Sequence, residues 1–230
     1  MAKAAIAPPE QQGHIYVLAG CNGAGKSSIG GAALLAAGVG FYNPDEAARS
    51  IASANAHLSP PLTIAELNGE AWNQGRTLLE RAIERRLDFA FETTLGGHTV
   101  PDLLARAARE GLAVHVWFAG LQGVELHLER VRQRVARGGH DIPREKILER
   151  YDAGRANLIR LLPQLASVRV FDNSAEGAPG QGLAPKPRLL LHCDKQQIVA
   201  PTDLRTLLTN TPEWAKPIMT AALDLHLKRR

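Results

Sequence analysis

Gly20-Cys21-Asn22-Gly23-Ala24-Gly25-Lys26-Ser27 is the segment that most restricts how this chain folds. It fits the pattern GxxxxGK[ST] and stands between an apolar run, His14–Gly20, and an Ala-rich stretch, Gly25–Ala37. The run reads as a buried strand stopped by glycine, and the stretch as the helix that the strand feeds. In that setting the glycines let the backbone curl until its N–H groups point at phosphate oxygens. The helix start adds positive charge, Lys26 reaches the β- and γ-phosphates, and the Ser27 hydroxyl is placed to ligate Mg²⁺. The nucleotide-binding set expected here is Gly20, Cys21, Asn22, Gly23, Ala24, Gly25, Lys26, Ser27 and Ser28, with Cys21 serving only as a small residue.

The remaining pattern alternates strands and helices. Strands are expected at Val39–Tyr42, from Phe89, at Ala113–Leu121 and at Val168–Phe171. Helices are expected at Ile64–Arg86, Val100–Glu110, Val124–Ala136, Pro143–Leu165 and Pro212–Leu227, with an antiparallel edge strand at Arg188–His192. Such alternation implies a parallel sheet covered on both faces, an α/β architecture. At 230 residues and 45% hydrophobic the chain suits one such domain. The division expected is a loose tail over 1–13, a main domain over 14–175, and an extension over 176–230 packed on the same domain.

Composition removes several classes. A net charge of +4 with 22% charged residues excludes general disorder. The longest apolar stretches, such as Leu112–Leu121, have about half the length a bilayer span needs. Two cysteines form no framework, and eight histidines lack metal-ligand spacing. A cytoplasmic protein with no membrane partner is expected. The basic excess is concentrated in Gly123–Arg160, which holds eight arginines and one lysine against six acids. Few aromatics accompany it, so the patch suits a phosphorylated ligand better than a nucleic acid.

No LSGGQ-like signature, strand-ending Asp-Glu pair or NKxD-like guanine reader accompanies the phosphate loop, which disfavours transporter ATPases and GTPases. Instead, acids end two strands: Asp45 in Phe-Tyr-Asn-Pro-Asp-Glu and Glu92 in Phe-Ala-Phe-Glu-Thr-Thr. Ligands of open α/β sheets bind outside the carboxyl ends of strands, where both acids would meet the phosphates. A kinase needs one carboxylate to accept the acceptor's proton and another near Mg²⁺ or its waters.

The segments AGCNGAGKSS, NPDEAAR, FAFETTLGG, RVRQRVARGGHDIP, ERY and FDNS together resemble the zeta-toxin family, in order from Ile15 to about Ser174. The resemblance implies a P-loop kinase-like three-layer sandwich with a mainly parallel sheet and a helical arginine lid. It implies transfer of the ATP γ-phosphate to a hydroxyl of a UDP-activated amino sugar such as UDP-N-acetylglucosamine, and an antitoxin as protein partner. Asp45 would be the general base, Glu92 would fall in the acceptor and metal region, and lid arginines would meet the γ-phosphate. Residues 175–230 carry no part of the resemblance.

Each site residue also has a plainer reading. Asp45 before Glu-Ala-Ala-Arg fits a helix N-cap. Thr93 and Thr94 are either β-branched strand residues or hydroxyls beside the acceptor. Arg130, Arg134 and Arg137 share a helix face that is either solvated or the lid face, with Gly138-Gly139 as its hinge. Planar guanidinium groups suit a transferring phosphoryl, and Arg134 is the arginine expected there first, with Arg150 a further candidate. Asn173 either reads the adenine edge or makes an Asx turn. Two rival functions stand beside the main one. The first is the same chemistry on another nucleotide, a nicotinamide dinucleotide or a polyol; the second is an ATP-binding regulatory module with slow ATPase activity.

Overall fold

Five parallel strands carry the site, because the two-sided apolar runs of the sequence can be satisfied only in a sheet buried on both faces. In the computed structural model, which describes residues 12–26, 29–30, 41–139, 141–175, 186–205 and 207–229, these are β1 (His14–Ala19), β2 (Phe41–Tyr42), β3 (Phe89–Thr93), β4 (Ala113–Gly120) and β5 (Ser167–Asp172). Two antiparallel strands, β6 (Arg188–Asp194) and β7 (Gln197–Ala200), extend one edge, giving the order β2-β3-β1-β4-β5-β6-β7. β1 lies between β3 and β4, so the loop that follows it opens at the middle of the sheet.

Six helices are described: α1 (Pro44–Ala54), α2 (Ile64–Arg85), α3 (Thr99–Arg109), α4 (Val124–Ala136), α5 (Arg144–Leu161) and α6 (Lys216–Lys228). The expected helix over 25–37, most of the tail and the start of the second strand lie largely outside the described residues, as do Ser27 and Ser28. A capping box fixes the start of α2, with Thr63 and Glu66 satisfying each other's backbone N–H groups. Two expected helices are shorter than the apolar pattern suggested. Pro143 stands before α5 rather than within its first turn, and α5 stops at Leu161, where Pro163 enforces a 3₁₀ turn over Leu162–Gln164. Before α6 the chain makes a 3₁₀ turn at Glu213–Ala215, which the pattern had merged with the helix.

The core joins the two halves of the chain. Val116, Phe118 and Val170 of the sheet share one buried cluster with Trp214, Ile218 and Met219 of the C-terminal segment. Gly120 shows how tightly they meet, since a Cβ there would come within 2.3 Å of the Trp214 ring. At the same end of the sheet, where β1 runs parallel to β4, Gly20 has φ +141° and a Cβ would fall 2.3 Å from the Ala119 carbonyl oxygen. Only glycine allows β1 to turn into the loop at that place.

Candidate active site

The loop after β1 is anchored from several directions. The Gly20 N–H donates to the Thr93 carbonyl at 3.2 Å, which ties it to the end of β3. Asn173, buried just past β5, donates Nδ2 to the Ala24 carbonyl at 2.9 Å. This commits the Asn173 amide to bracing the loop instead of to the base-reading position considered from sequence. Cys21 packs with Val131 and Ile147, and burial pushes its thiol up to about 11, so it acts as an inert small residue. Lys26 is buried, donates to the Gly20 carbonyl at 2.9 Å, and lies 3.4 Å from Glu92 Oε1.

Glu92 is the fourth residue of β3, and an acid is placed there although strands disfavour it. Its second oxygen, Oε2, is buried without a hydrogen-bond partner among the described residues. A buried carboxylate oxygen of this kind is costly unless a ligand or an ordered water completes it. Thr93 and Thr94 use their hydroxyls to accept from the backbone of Leu95 (3.1 Å) and Gly96 (3.4 Å), so both shape the turn that leaves β3.

Asp45 is not the cap of its helix. Asn43 holds that position, its side chain accepting the Asp45 N–H at 2.9 Å. The plainer reading of Asp45 fails for a simple reason: with Pro44 at the first helical position, the cap falls one residue earlier than Pro44. Its carboxylate is left facing a cleft of about 420 Å³, where Arg134 Nη1 lies 3.6 Å from Asp45 Oδ2. Lys26, Glu92, Thr93, Thr94 and Arg150 line the same cleft.

The arginines separate by position. Arg134 on α4 and Arg150 on α5 face the cleft, and Arg150 Nη1 donates to Asn22 Oδ1 of the loop at 2.9 Å. Arg130 lies beside Gly23, against the loop itself. Arg137 follows the last turn of α4 and is exposed, and it does not line the cleft with the other two. Sequence reasoning missed His127, one turn before Arg130 on α4. It is buried and bonds the Asn22 carbonyl at 2.8 Å through Nδ1, which must therefore carry the proton. Burial holds its pKa down at about 4, so the ring is neutral. The available signal was spacing, since His127 shares the helix face of Arg130 and Arg134.

No group of three or more His, Cys, Asp or Glu side chains gathers among the described residues to hold a metal by itself. Mg²⁺ at a nucleotide site takes most of its ligands from water and phosphates, so the bare Glu92 oxygen beside Lys26 fits a metal held in that way.

Comparison with known proteins bears on the fold and the family. A chain of the AvrRxo1-ORF1:AvrRxo1-ORF2 complex with sulphate ions superposes with TM-score 0.61 at 17% identity, covering 94% of this chain and 76% of that one. The same complex with ATP gives TM-score 0.62 at 17% identity, covering 92% and 64%. The PezAT toxin-antitoxin system of Streptococcus pneumoniae gives 0.50 at 12% identity, covering 99% and 90%. At these identities the likeness is one of fold, that of P-loop kinases. A Haemophilus influenzae protein described as "Uncharacterized protein" is 34% identical over 74 residues, 32% of this chain, and the match spans about half (53%) of that relative's length. The family model described as Zeta toxin matches residues 2–177, and by that match the chain belongs to the Zeta toxin family.

Proposed function

We propose that this chain is an ATP-dependent phosphotransferase that moves the γ-phosphate of ATP to a hydroxyl of a UDP-activated amino sugar such as UDP-N-acetylglucosamine. One observation carries the reading: a phosphate-loop lysine, a carboxylate with a bare buried oxygen, a second carboxylate free of capping duty and an arginine converge on one cleft. Lys26 would neutralise the β- and γ-phosphates, and the loop N–H groups would cradle them. Mg²⁺, held through Ser27, the phosphates and water on Glu92, would supply further neutralisation of the departing charge. Asp45 takes the proton of the acceptor hydroxyl as its oxygen attacks Pγ. The bond from Pγ to the β-phosphate oxygen breaks, and ADP leaves with that electron pair. Arg134, and Arg150 beside Asn22, face the place where charge spreads over the equatorial oxygens. A protein partner of antitoxin type and a cytoplasmic setting belong to the same reading; the PezAT fold likeness supports the partner.

The test is a mass-spectrometric screen of UDP-sugars, other nucleotides, nicotinamide dinucleotides and polyols with ATP and Mg²⁺. A product heavier by one phosphoryl group, formed only with a UDP-amino sugar, is expected. Acceptor-independent ADP release would favour the ATP-binding regulatory module instead.

A further inference from the structure

One face of α2 looks into the cleft and takes no part in the chemistry described above. Ala71, Gly75 and Leu79 form its inner row, with Ala71 and Leu79 buried; Asn68, Trp72 and Arg76 form the outer row, at the same spacing of four. Trp72 is 47% exposed, whereas Trp214 is 3% exposed inside the core. An indole left open on the wall of a cleft, instead of spent on the core, is a platform for a flat ligand. The Arg76 guanidinium stands 5.7 Å from the Trp72 ring centroid and is steadied one turn on by Glu80, at 2.8 and 2.9 Å from Nη1. That ion pair is solvent-exposed enough to be weak, so an anionic group can share the arginine at little cost.

We propose that Trp72 and Arg76 are the acceptor-specificity residues, Trp72 stacking on the planar base of a nucleotide-linked acceptor and Arg76 meeting its phosphate. The inference rests on the phosphotransferase reading above and adds which end of the acceptor this chain reads, and with which residues. A local tie relates this platform to the proposed base. The Tyr42 hydroxyl donates to the Ala71 carbonyl, one residue before Trp72, and Tyr42 lies three residues before Asp45. The end of β2, which leads directly into the first turn of α1 and Asp45, is therefore fixed against the turn of α2 that carries Trp72. A base held on the indole fixes where the rest of the acceptor lies relative to the Asp45 carboxylate.

The experiment follows Trp72 emission in the full chain, using Trp72→Phe to identify its share of the signal. UDP, N-acetylglucosamine 1-phosphate and a non-hydrolysable ATP analogue are titrated separately, and UDP again with the analogue saturating. Quenching of the Trp72 signal by UDP in the presence of the analogue is expected, with little response to the sugar phosphate. Trp72→Ala should weaken UDP binding roughly tenfold or more, the usual scale for losing one base–aromatic stack, while leaving binding of the ATP analogue unchanged. Trp72→Phe should keep most of the UDP affinity, since a smaller ring still stacks. The proposal is overturned if the sugar phosphate quenches and UDP does not. It is equally overturned if the ATP analogue alone saturates the signal, or if Trp72→Ala binds UDP as the parent does. The two readings fail separately. UDP stacking with no phosphoryl transfer would sink the transferase reading alone, whereas transfer with an acceptor KM indifferent to Trp72→Ala would sink this one alone.

Discussion

Arg134 on α4 and Asp45 at the start of α1 lie 3.6 Å apart, Nη1 to Oδ2, although 89 positions separate them in the chain. Both side chains are partly open to solvent, so the pair adds little to stability. Its interest is that it places the arginine proposed to meet the γ-phosphate next to the carboxylate proposed as base. Because Asn43 supplies the helix cap, Asp45 can be altered without loosening α1. Asp45→Asn should lower phosphoryl transfer by about two or more orders of magnitude, the scale of a positioned general base, with ATP affinity and melting temperature unchanged. Calorimetric ATP titration beside single-turnover kinetics checks both halves. Turnover near the parental rate removes Asp45 from the mechanism.

Arg134→Lys keeps the charge and removes the planar fork. A fork matters most where charge is spread over three equatorial oxygens, so kcat should fall by roughly tenfold or more while the KM for ATP changes little. The same substitution at Arg137, exposed beyond the end of α4, should leave both constants as they were. Equal kinetics for Arg134→Lys and the parent would return this helix face to a solvated role.

Lys26→Met tests a pair rather than a residue. Transfer should be abolished, because the cation that meets the phosphates is gone. Stability should fall too, by about 2 kcal/mol or more, since Glu92 is left buried without its partner. Adding Glu92→Gln should restore much of the melting temperature and none of the activity. If the double variant melts as low as Lys26→Met alone, the Lys26–Glu92 contact is not what the buried carboxylate depends on.

What the sequence made legible follows from how local each signal is. The phosphate loop, the four longer parallel strands and α4 are written in contiguous patterns, a glycine spacing or an apolar run, and they stand close to where the pattern puts them. The strand β7 was not legible, because Gln197–Ala200 is a four-residue edge whose pairing with β6 is a tertiary fact. The bond of Asn173 was not legible for a similar reason: an amide after a strand looks the same whether it meets a ligand or the Ala24 carbonyl. Trp72 and Arg76 were visible only as part of an amphipathic helix, and periodicity does not say which polar edge of a helix borders a cleft.

His127 gives a prediction whose sign is fixed by burial. An imidazole with an ordinary pKa of 6.5 is held near 4 in the folded chain, first by desolvation and then by the nearby Lys26 and Arg130 charges, against the raising effect of its bond to Asn22. The unfolded chain therefore binds a proton that the folded chain refuses between those two values. Stability from this group is complete above pH 6.5 and is lost as the pH falls towards 4, by about 3 kcal/mol at most. His115 and His192, whose values burial also lowers, add to the same slope. His127→Asn keeps a donor near the Nδ1 position and removes the titration. Urea unfolding at several pH values should show a shallower loss of stability between pH 6.5 and 4 for the variant than for the parent. Because the neutral ring keeps its Nδ1 proton throughout the range above 6.5, the bond to the Asn22 carbonyl should be indifferent to pH there, and activity should show no inflection from this histidine near neutrality. Parallel stability curves for variant and parent would mean that the buried ring already accommodates its proton, and the picture of a neutral histidine clamping the loop would fall.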